Sequence, residues 1–444
     1  MDYLEDKKLL ELRFSNGMMI LPFVRYKLLC SKNQDNTSSS SRNPVSKPTI
    51  FFRLFSNLIR IRVKKKKLVF FSSTLFNVEV EGEKGIYYNS MDGYYYDLFP
   101  EDSLLIEDAD EEFKWRAKNS YKSMSFIRTY LLFLSFTLSR VFNKIKPIMR
   151  IEFDYLIKSY DELYTIEEIG PLDYFHRIYY SLIKWVLKKT QCNLIAVNCG
   201  SYGETYAPLI KAAHDLGIKV IEMQHGAILQ SHLGYHADDF IVNHDEYATY
   251  LPDILYSFGD YWKQYIDWKY EIISVGSPHL NRYIKQYASE EVINDFLIIS
   301  QPSIREHVLS FAKDLASFYP EKKIVLRLHP RDVIQFYQEI IDEYSNLSLS
   351  FSEINLYKDI SQSHYIVGGY STCLFEAMAF HKKIIIIDIP IVRKYFPADV
   401  GVWVKSAIEL EMLDRDNWNT IDSSQLWADG FEEKVKQRLK GYTK

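Results

Sequence analysis

Apolar and polar positions alternate with two different textures along the chain. From about residue 193 onward, short β-branched runs ending in Gly, Ser, His or Pro alternate with longer stretches of helical periodicity. Continuous apolar runs of this kind read as strands buried on both faces, and their alternation with helices predicts βαβ units around parallel sheets. The predicted strands are 193–198, 218–223, 240–243, 254–258 and 271–275, then 296–299, 323–328, 365–367 and 384–387. Helices are predicted at 204–216, 304–318, 333–344 and 371–380, with an amphipathic one at 425–439. A join near 277–291 separates the two series.

Before residue 190 the pattern is less regular. Residues 17–22 resemble a strand, and the serine-rich stretch 31–48 reads as a flexible loop or linker. Residues 51–63 are apolar but threaded with Arg53, Arg60 and Arg62; they run into four lysines, 64–67, and then a buried strand, 68–76. A hairpin is predicted from 86–88 and 94–96 across Met91-Asp92-Gly93, followed by helical periodicity over 114–189. Within it, 126–142 is the most hydrophobic stretch of the protein, yet it carries Arg128 and Arg140. It falls short of the ~20 clean apolar residues a spanning helix needs, so it reads as a buried or interface-lying helix.

Composition adds bounds. A chain of 444 residues with 47% hydrophobic and 25% charged residues has room for two or three globular domains. The net charge of −4 gives no electrostatic basis for binding nucleic acid. Four scattered cysteines without close pairing argue for a reducing compartment and against a zinc site or disulfide framework. With no signal-peptide pattern, the expected location is the cytoplasm. The basic run 60–67 and the aromatic helix raise the further expectation of peripheral contact with the inner membrane. The alternative for the basic run is a strand edge blunted by lysines.

The candidate chemistry gathers where predicted strands end. Strand 218–223 breaks into Gln224-His225-Gly226, and strand 193–198 into Cys199-Gly200-Ser201. Ligands of open α/β sheets bind beyond strand carboxyl ends, so His225 is the candidate general base, with Gly200, Ser201, Gln224 and Gly226 in the same strand-end loops. In the second series, Ser300-Gln301 follows one strand and Arg327-Leu328-His329-Pro330 ends another, with Pro330 holding His329 extended. Gly368-Gly369-Tyr370-Ser371-Thr372 then leads into a helix, where hydroxyls and unpaired N–H groups suit a phosphate. Glu376, one helical turn on, is placed to accept from a ribose diol. There is no Walker loop, no GxGxxG fingerprint and no expected metal; His232 and His236 share a helical spacing, but Gly234 lies between them and no carboxylate completes a set.

Over about 194–390, these motifs resemble the two-Rossmann-domain GT-B glycosyltransferases. More narrowly, the segment is similar to bacterial capsule and surface-polysaccharide transferases and to CDP-glycerol glycerophosphotransferases. The matching positions are Gln224-His225-Gly226, His329-Pro330 and Ser371-Thr372. Bacterial sialyltransferases look similar in the latter two elements but carry an Asp-Gly base motif where this chain has His-Gly.

The resemblance implies an α/β fold of two Rossmann-like domains facing a cleft, with an elaborated N-terminal region. The expected division is an acceptor-side domain, 1–280 (core about 190–280), a nucleotide-donor domain, 281–415, and a final helix, 416–444, packing back across both. It implies that His225 is the base, with Gly200, Ser201, Gln224 and Gly226 expected on the acceptor side, and that His329, Ser371, Thr372 and Glu376 hold the donor nucleotide and its phosphates. His329 is expected to act catalytically as well, and Ser300, Gln301, Arg327 and Gly369 to line the same donor site. The expected activity is metal-independent transfer of a sugar from a nucleotide sugar to a glycan or lipid-linked acceptor, without a cofactor. CMP- or CDP-linked donors are slightly favoured. The alternatives are a CDP-glycerol-type polyol-phosphate transferase, a nucleotide-sugar 2-epimerase, or a non-catalytic scaffold of a polysaccharide assembly complex.

Overall fold

Fifteen strands form in chain order among the described residues of the computed structural model, which are 7–32, 47–58, 61–80, 83–109, 121–148, 151–159, 166–330, 332–351, 355–412, 418 and 421–444. The first nine are β1 (Leu68–Ser73), β2 (Asn77–Glu79), β3 (Tyr87–Asn89), β4 (Ser103–Asp108), β5 (Met124–Ser125), β6 (Leu194–Val197), β7 (Lys219–Met223), β8 (Ile254–Ser257) and β9 (Glu271–Ser274). Seven of them form a parallel sheet in the order β5-β4-β1-β6-β7-β8-β9, while β2 and β3 pair antiparallel beside it. The remaining six are β10 (Asn294–Ile299), β11 (Ile324–Arg327), β12 (Leu347–Ser350), β13 (Ser363–Gly368), β14 (Lys383–Ile387) and β15 (Val402–Val404). They form a second parallel sheet, β12-β11-β10-β13-β14-β15.

The strands are parallel because both their faces are apolar. In β1, Val69 and Phe71 join one core cluster and Leu68 and Phe70 the other. Each sheet reverses its winding once, at β1/β6 and at β10/β13, which opens a crevice at the carboxyl ends of those strands. Two parallel sheets of this order, covered by helices, are two Rossmann-like domains, and together they define the GT-B class of fold. The segment after them ties the pair: Trp262 Nε1 donates to the Leu426 carbonyl (2.9 Å) and Trp427 Nε1 to the Phe375 carbonyl (3.1 Å). Helix Phe431–Leu439 then buries Phe431, Val435 and Leu439, spaced four apart, in the core cluster that includes Leu68 and Tyr256 of the first sheet.

Several expectations are corrected. The first sheet begins at Leu68, so β1, β4 and β5 belong to a core expected only from about residue 190. Residues 94–96 are not a hairpin arm: Asn89 Oδ1 accepts from the backbone N–H groups of Met91 (3.1 Å) and Asp92 (2.8 Å), which starts helix Asp92–Leu98. Tyr87–Asn89 pairs instead with Asn77–Glu79. The run 240–243 lies mostly in a short helix, Asp239–Val242, where Ile241 and Val242 donate back to the Asp238 carbonyl (2.9 and 3.0 Å). Residues 17–22 hold one antiparallel bridge, Arg13 to Met19, and then enter helix Leu21–Lys32. The helix expected at 333–344 is split into a 3-10 turn, Ile334–Phe336, and helix Gln338–Glu343, while β4, β12 and β15 were not predicted. Most of the expected linker at 31–48, and Arg60, lie outside the described residues.

Candidate active site

β7 carries the central group. Its last residues, Glu222 and Met223, are buried, and the chain then turns through Gln224-His225-Gly226. The Gln224 side chain, itself 1% exposed, fixes that turn from both sides. Its Nε2 donates to the Gly226 carbonyl (2.8 Å), and its Oε1 accepts from the backbone N–H of Phe258 past β8 (2.7 Å). Gln224 is thus a brace for the loop, with its amide oxygen and nitrogen both engaged.

The His225 ring is held on several sides. Burial pulls its pKa down to about 4, partly offset by a hydrogen bond donated to the Asn198 carbonyl. Tyr202 places its hydroxyl 3.1 Å from Nε2, and Cys199 Sγ sits 3.9 Å from both ring nitrogens. A neutral imidazole donating through Nδ1 presents Nε2 as its basic nitrogen, the state a general base requires. The same Tyr202 hydroxyl lies 2.9 Å from His232 Nε2. His232 is also pulled down to about 4 by burial, and its Nδ1 has no partner. His236 bonds Asp267 Oδ2 and the Leu229 carbonyl, both at 3.1 Å. Among the described residues no group of three or more His, Cys, Asp or Glu is arranged to hold a metal ion.

Gly200 and Ser201 lie beneath this loop. A Cβ on Gly200 would stand 2.8 Å from both Pro252 and Val197, so the turn needs glycine. Ser201 donates its backbone N–H to Glu222 Oε2 (2.9 Å), as does its hydroxyl, while Tyr235 donates to Oε1 (2.9 Å). Burial raises Glu222 to about 7 in spite of those donors.

The switch point of the first sheet holds polar residues that the sequence patterns did not single out. Asp92 is completely buried and raised to about 6 by that burial; Asn198 Nδ2 donates to it at 3.0 Å, and its Oδ1 has no partner. Asn89 Nδ2 reaches Ser72 Oγ (2.8 Å) and Asn77 Oδ1 (3.2 Å), and Asn77 donates to Glu107 (2.6 Å). Only the strand order brings these stretches together. The Asn-Ser-Met-Asp sequence at 89–92, an Asn cap before a helix, is the one local signal for them.

The second sheet supplies the opposite wall. At its switch point the Gln301 loop after β10 and the Gly369 loop after β13 touch: Gln301 Oε1 accepts from the Tyr370 N–H (3.2 Å) and would stand 3.1 Å from a Cβ on Gly369. Ser371 caps helix Thr372–Ala379, its Oγ accepting from the Cys373 N–H (3.3 Å). Glu376 follows one turn later, bonded to Tyr357 and raised to about 7 by burial. His329 lies past β11, its backbone N–H donating to Asp332 Oδ2 (3.0 Å). Ser300 and Arg327 turn inward. Ser300 bonds Asp332 (2.6 Å) and Tyr337 (2.7 Å), and Arg327 pairs with Asp359 (2.6 Å), so both stabilise the loops from below.

The two walls meet. A Cβ built on Gly226 would have a single neighbour within 4 Å, the Thr372 hydroxyl at 4.0 Å. The His225 loop of one sheet therefore faces the helix start of the other.

No family model matches the chain, and no curated protein matches it. Among solved structures, the UDP-GlcNAc 2-epimerase from Neisseria meningitidis, bound to UDP-GlcNAc, is similar over 85% of this chain and 99% of its own, at 13% identity and a TM-score of 0.47. The corresponding epimerase from Methanocaldococcus jannaschii gives 84%, 99%, 11% and 0.45. The wall teichoic acid polymerase TagF gives 89%, 93%, 13% and 0.42. These likenesses concern overall architecture; residue roles rest on the site itself.

Proposed function

We propose that this protein is a metal-independent transferase that moves a sugar, or a polyol phosphate, from a nucleotide-activated donor to a hydroxyl of a glycan or lipid-linked acceptor. The observation that carries the reading is the apposition of the Gly226 turn, which follows His225, to Thr372 at a capped helix start beside a switch point. In sugar transfer, the acceptor hydroxyl takes the place of the Tyr202 hydroxyl at His225 Nε2 and gives up its proton there. Its oxygen bonds to the sugar carbon, and the carbon–oxygen bond to the donor phosphate breaks, leaving the electron pair on the phosphate. The partial positive charge at the Ser371–Thr372 helix start, the Ser371 O–H and His329 stabilise that departing charge. Glu376 accepts from the ribose, and cytidine-linked donors are favoured slightly over uridine-linked ones.

The test is a thermal-shift screen with CMP, CDP, UDP and GDP, followed by assay of free-nucleotide release from the matching activated donors with and without hydroxyl acceptors. A nucleotide at 100 times its Kd stabilises by roughly 2.7 kcal/mol. Acceptor-dependent release supports transfer. Epimerised donor without acceptor supports a 2-epimerase, and no turnover with any bound donor supports a scaffold.

A further inference from the structure

The helix Ile127–Ile145 is only half accounted for by the core. Ile127 and Leu131 join the core cluster of the first sheet, and the buried Ser135 and Ser139 continue the same face. Beyond Leu131 the outer positions are apolar and exposed: Leu134, Phe136, Val141, Phe142 and Ile145, with Phe136 at 48% and Ile145 at 75%. Phe52 is 70% exposed on the helix Lys47–Ser56, which reaches this helix through the bond from the Tyr130 hydroxyl to the Leu54 carbonyl.

The direction of the helix follows from its neighbours. Helix Ile166–Thr190 leads down to the amino end of β6. Its early residues Gly170 and Tyr174 lie against Asn143, Phe142 and Lys146, and its later Tyr179 lies 3.0 Å from Arg128. The two helices are therefore antiparallel. Starting from Arg128 beside Asp108 at the carboxyl end of β4, the Ile127–Ile145 helix runs out past the carboxyl edge of the sheet, the edge on which His225 lies.

Its charge is of one sign. No Asp or Glu occurs from residue 113 to 151, while Arg140, Lys144 and Lys146 are exposed. Arg140 lies over the Phe136 ring at 3.7 Å, an apolar stem with its cationic head at the rim. In a protein of net charge −4, an apolar ridge carrying only cations fits the boundary of an anionic bilayer, where aromatic side chains enter the headgroup layer and the cations meet lipid phosphates. The lysine run 64–67 is not part of this face: it leads into the amino end of β1, with Lys64 and Lys66 bonded to the carbonyls of Lys122 and Glu101.

We infer that the outer face of the Ile127–Ile145 helix docks the protein on an anionic lipid surface, with the His225 edge of the first sheet turned toward the bilayer. The inference does not depend on the transfer reaction. It is tested by flotation of the full chain with phosphatidylcholine vesicles containing phosphatidylglycerol and with phosphatidylcholine alone. The comparison is between wild type, Phe136→Glu/Ile145→Glu and the control Lys64→Glu/Lys65→Glu, each checked for fold by circular dichroism and for oligomeric state by sedimentation. The expected result is binding to the anionic vesicles that weakens at least about tenfold in the ridge variant and changes little in the control. Absence of wild-type binding, equal binding by the ridge variant, or a self-associated wild type that the ridge variant converts to monomer without any lipid binding would each overturn it.

Discussion

The hydroxyl of Tyr202 stands 3.1 Å from Nε2 of His225, at the nitrogen that an acceptor hydroxyl must reach. The same hydroxyl is 2.9 Å from His232 Nε2, so it has a second partner when the acceptor enters. Tyr202→Phe leaves the buried His232 ring without a partner at either nitrogen, and the expected loss of stability is about 1–3 kcal/mol in chemical denaturation. Because the Asn198 backbone also holds the His225 ring, transfer in this variant is expected to stay within about tenfold of wild type. A larger loss in rate would give Tyr202 a direct part in proton transfer.

The depressed pKa of His225 makes a prediction about rate. With its pKa at about 4, against an ordinary value of 6.5, the ring stays neutral down to the acid range. The rate of transfer is expected to hold steady from about pH 8 to about pH 5 and to fall only below that. A half-maximal rate near 6.5 in the pH–rate profile would show that the base is not this buried ring.

His176 yields a prediction about stability. It is completely buried against Phe14 (ring centroids 4.3 Å), neither of its nitrogens has a partner, and burial lowers its pKa from 6.5 to about 3. The unfolded chain binds a proton here below about pH 6.5 that the folded chain refuses, so this contribution is fully present above 6.5 and is lost as pH falls toward 3. His176→Phe is expected to flatten the fall in Tm between those limits and to stabilise by about 1–3 kcal/mol at pH 5 relative to wild type. An unchanged pH slope would contradict the account.

Glu376 has the opposite sign. Burial raises it from 4.5 to about 7, so its protonated form adds stability that is fully present below 4.5 and lost as pH rises through about 7. Glu376→Gln is expected to flatten that loss on the alkaline side. Glu376→Ala is expected to weaken nucleotide binding by about 1.5–3 kcal/mol in isothermal titration, as a lost bond to ribose requires. Unchanged affinity would remove the ribose role, and tighter binding of UDP or GDP than of CMP and CDP would reject the cytidine preference.

What could be read from the sequence was what local chemistry encodes. The Gln224-His225-Gly226 break and the Ser371 cap are visible because an apolar run stops at residues with turn or capping preferences, and both sit at strand ends in the structure. The strand β4, Ser-Leu-Leu-Ile-Glu-Asp, closes on two acids and so does not read as an uninterrupted apolar run; the sheet places it beside β1. The meeting of Asp92, Asn198 and Ser72 depends on strand order, which no local pattern carries. Ser300 and Arg327 had the right residue types for an anion, but position in the chain does not show that Asp332 and Asp359 already engage them. The run Phe240–Ile241–Val242 is β-branched enough to resemble a strand, yet the backbone bonds to Asp238 win over so short a preference.

The most direct test is the rate of a single turnover in wild type and His225→Ala, with whichever activated donor binds and a hydroxyl acceptor, alongside the Kd for the donor nucleotide. The predicted result is a nucleotide Kd within about twofold of wild type and a transfer rate lower by about 10²–10⁴-fold. A variant that transfers within a few-fold of wild type, or one that loses nucleotide binding along with rate, would contradict the assignment of His225 as the base facing the donor wall.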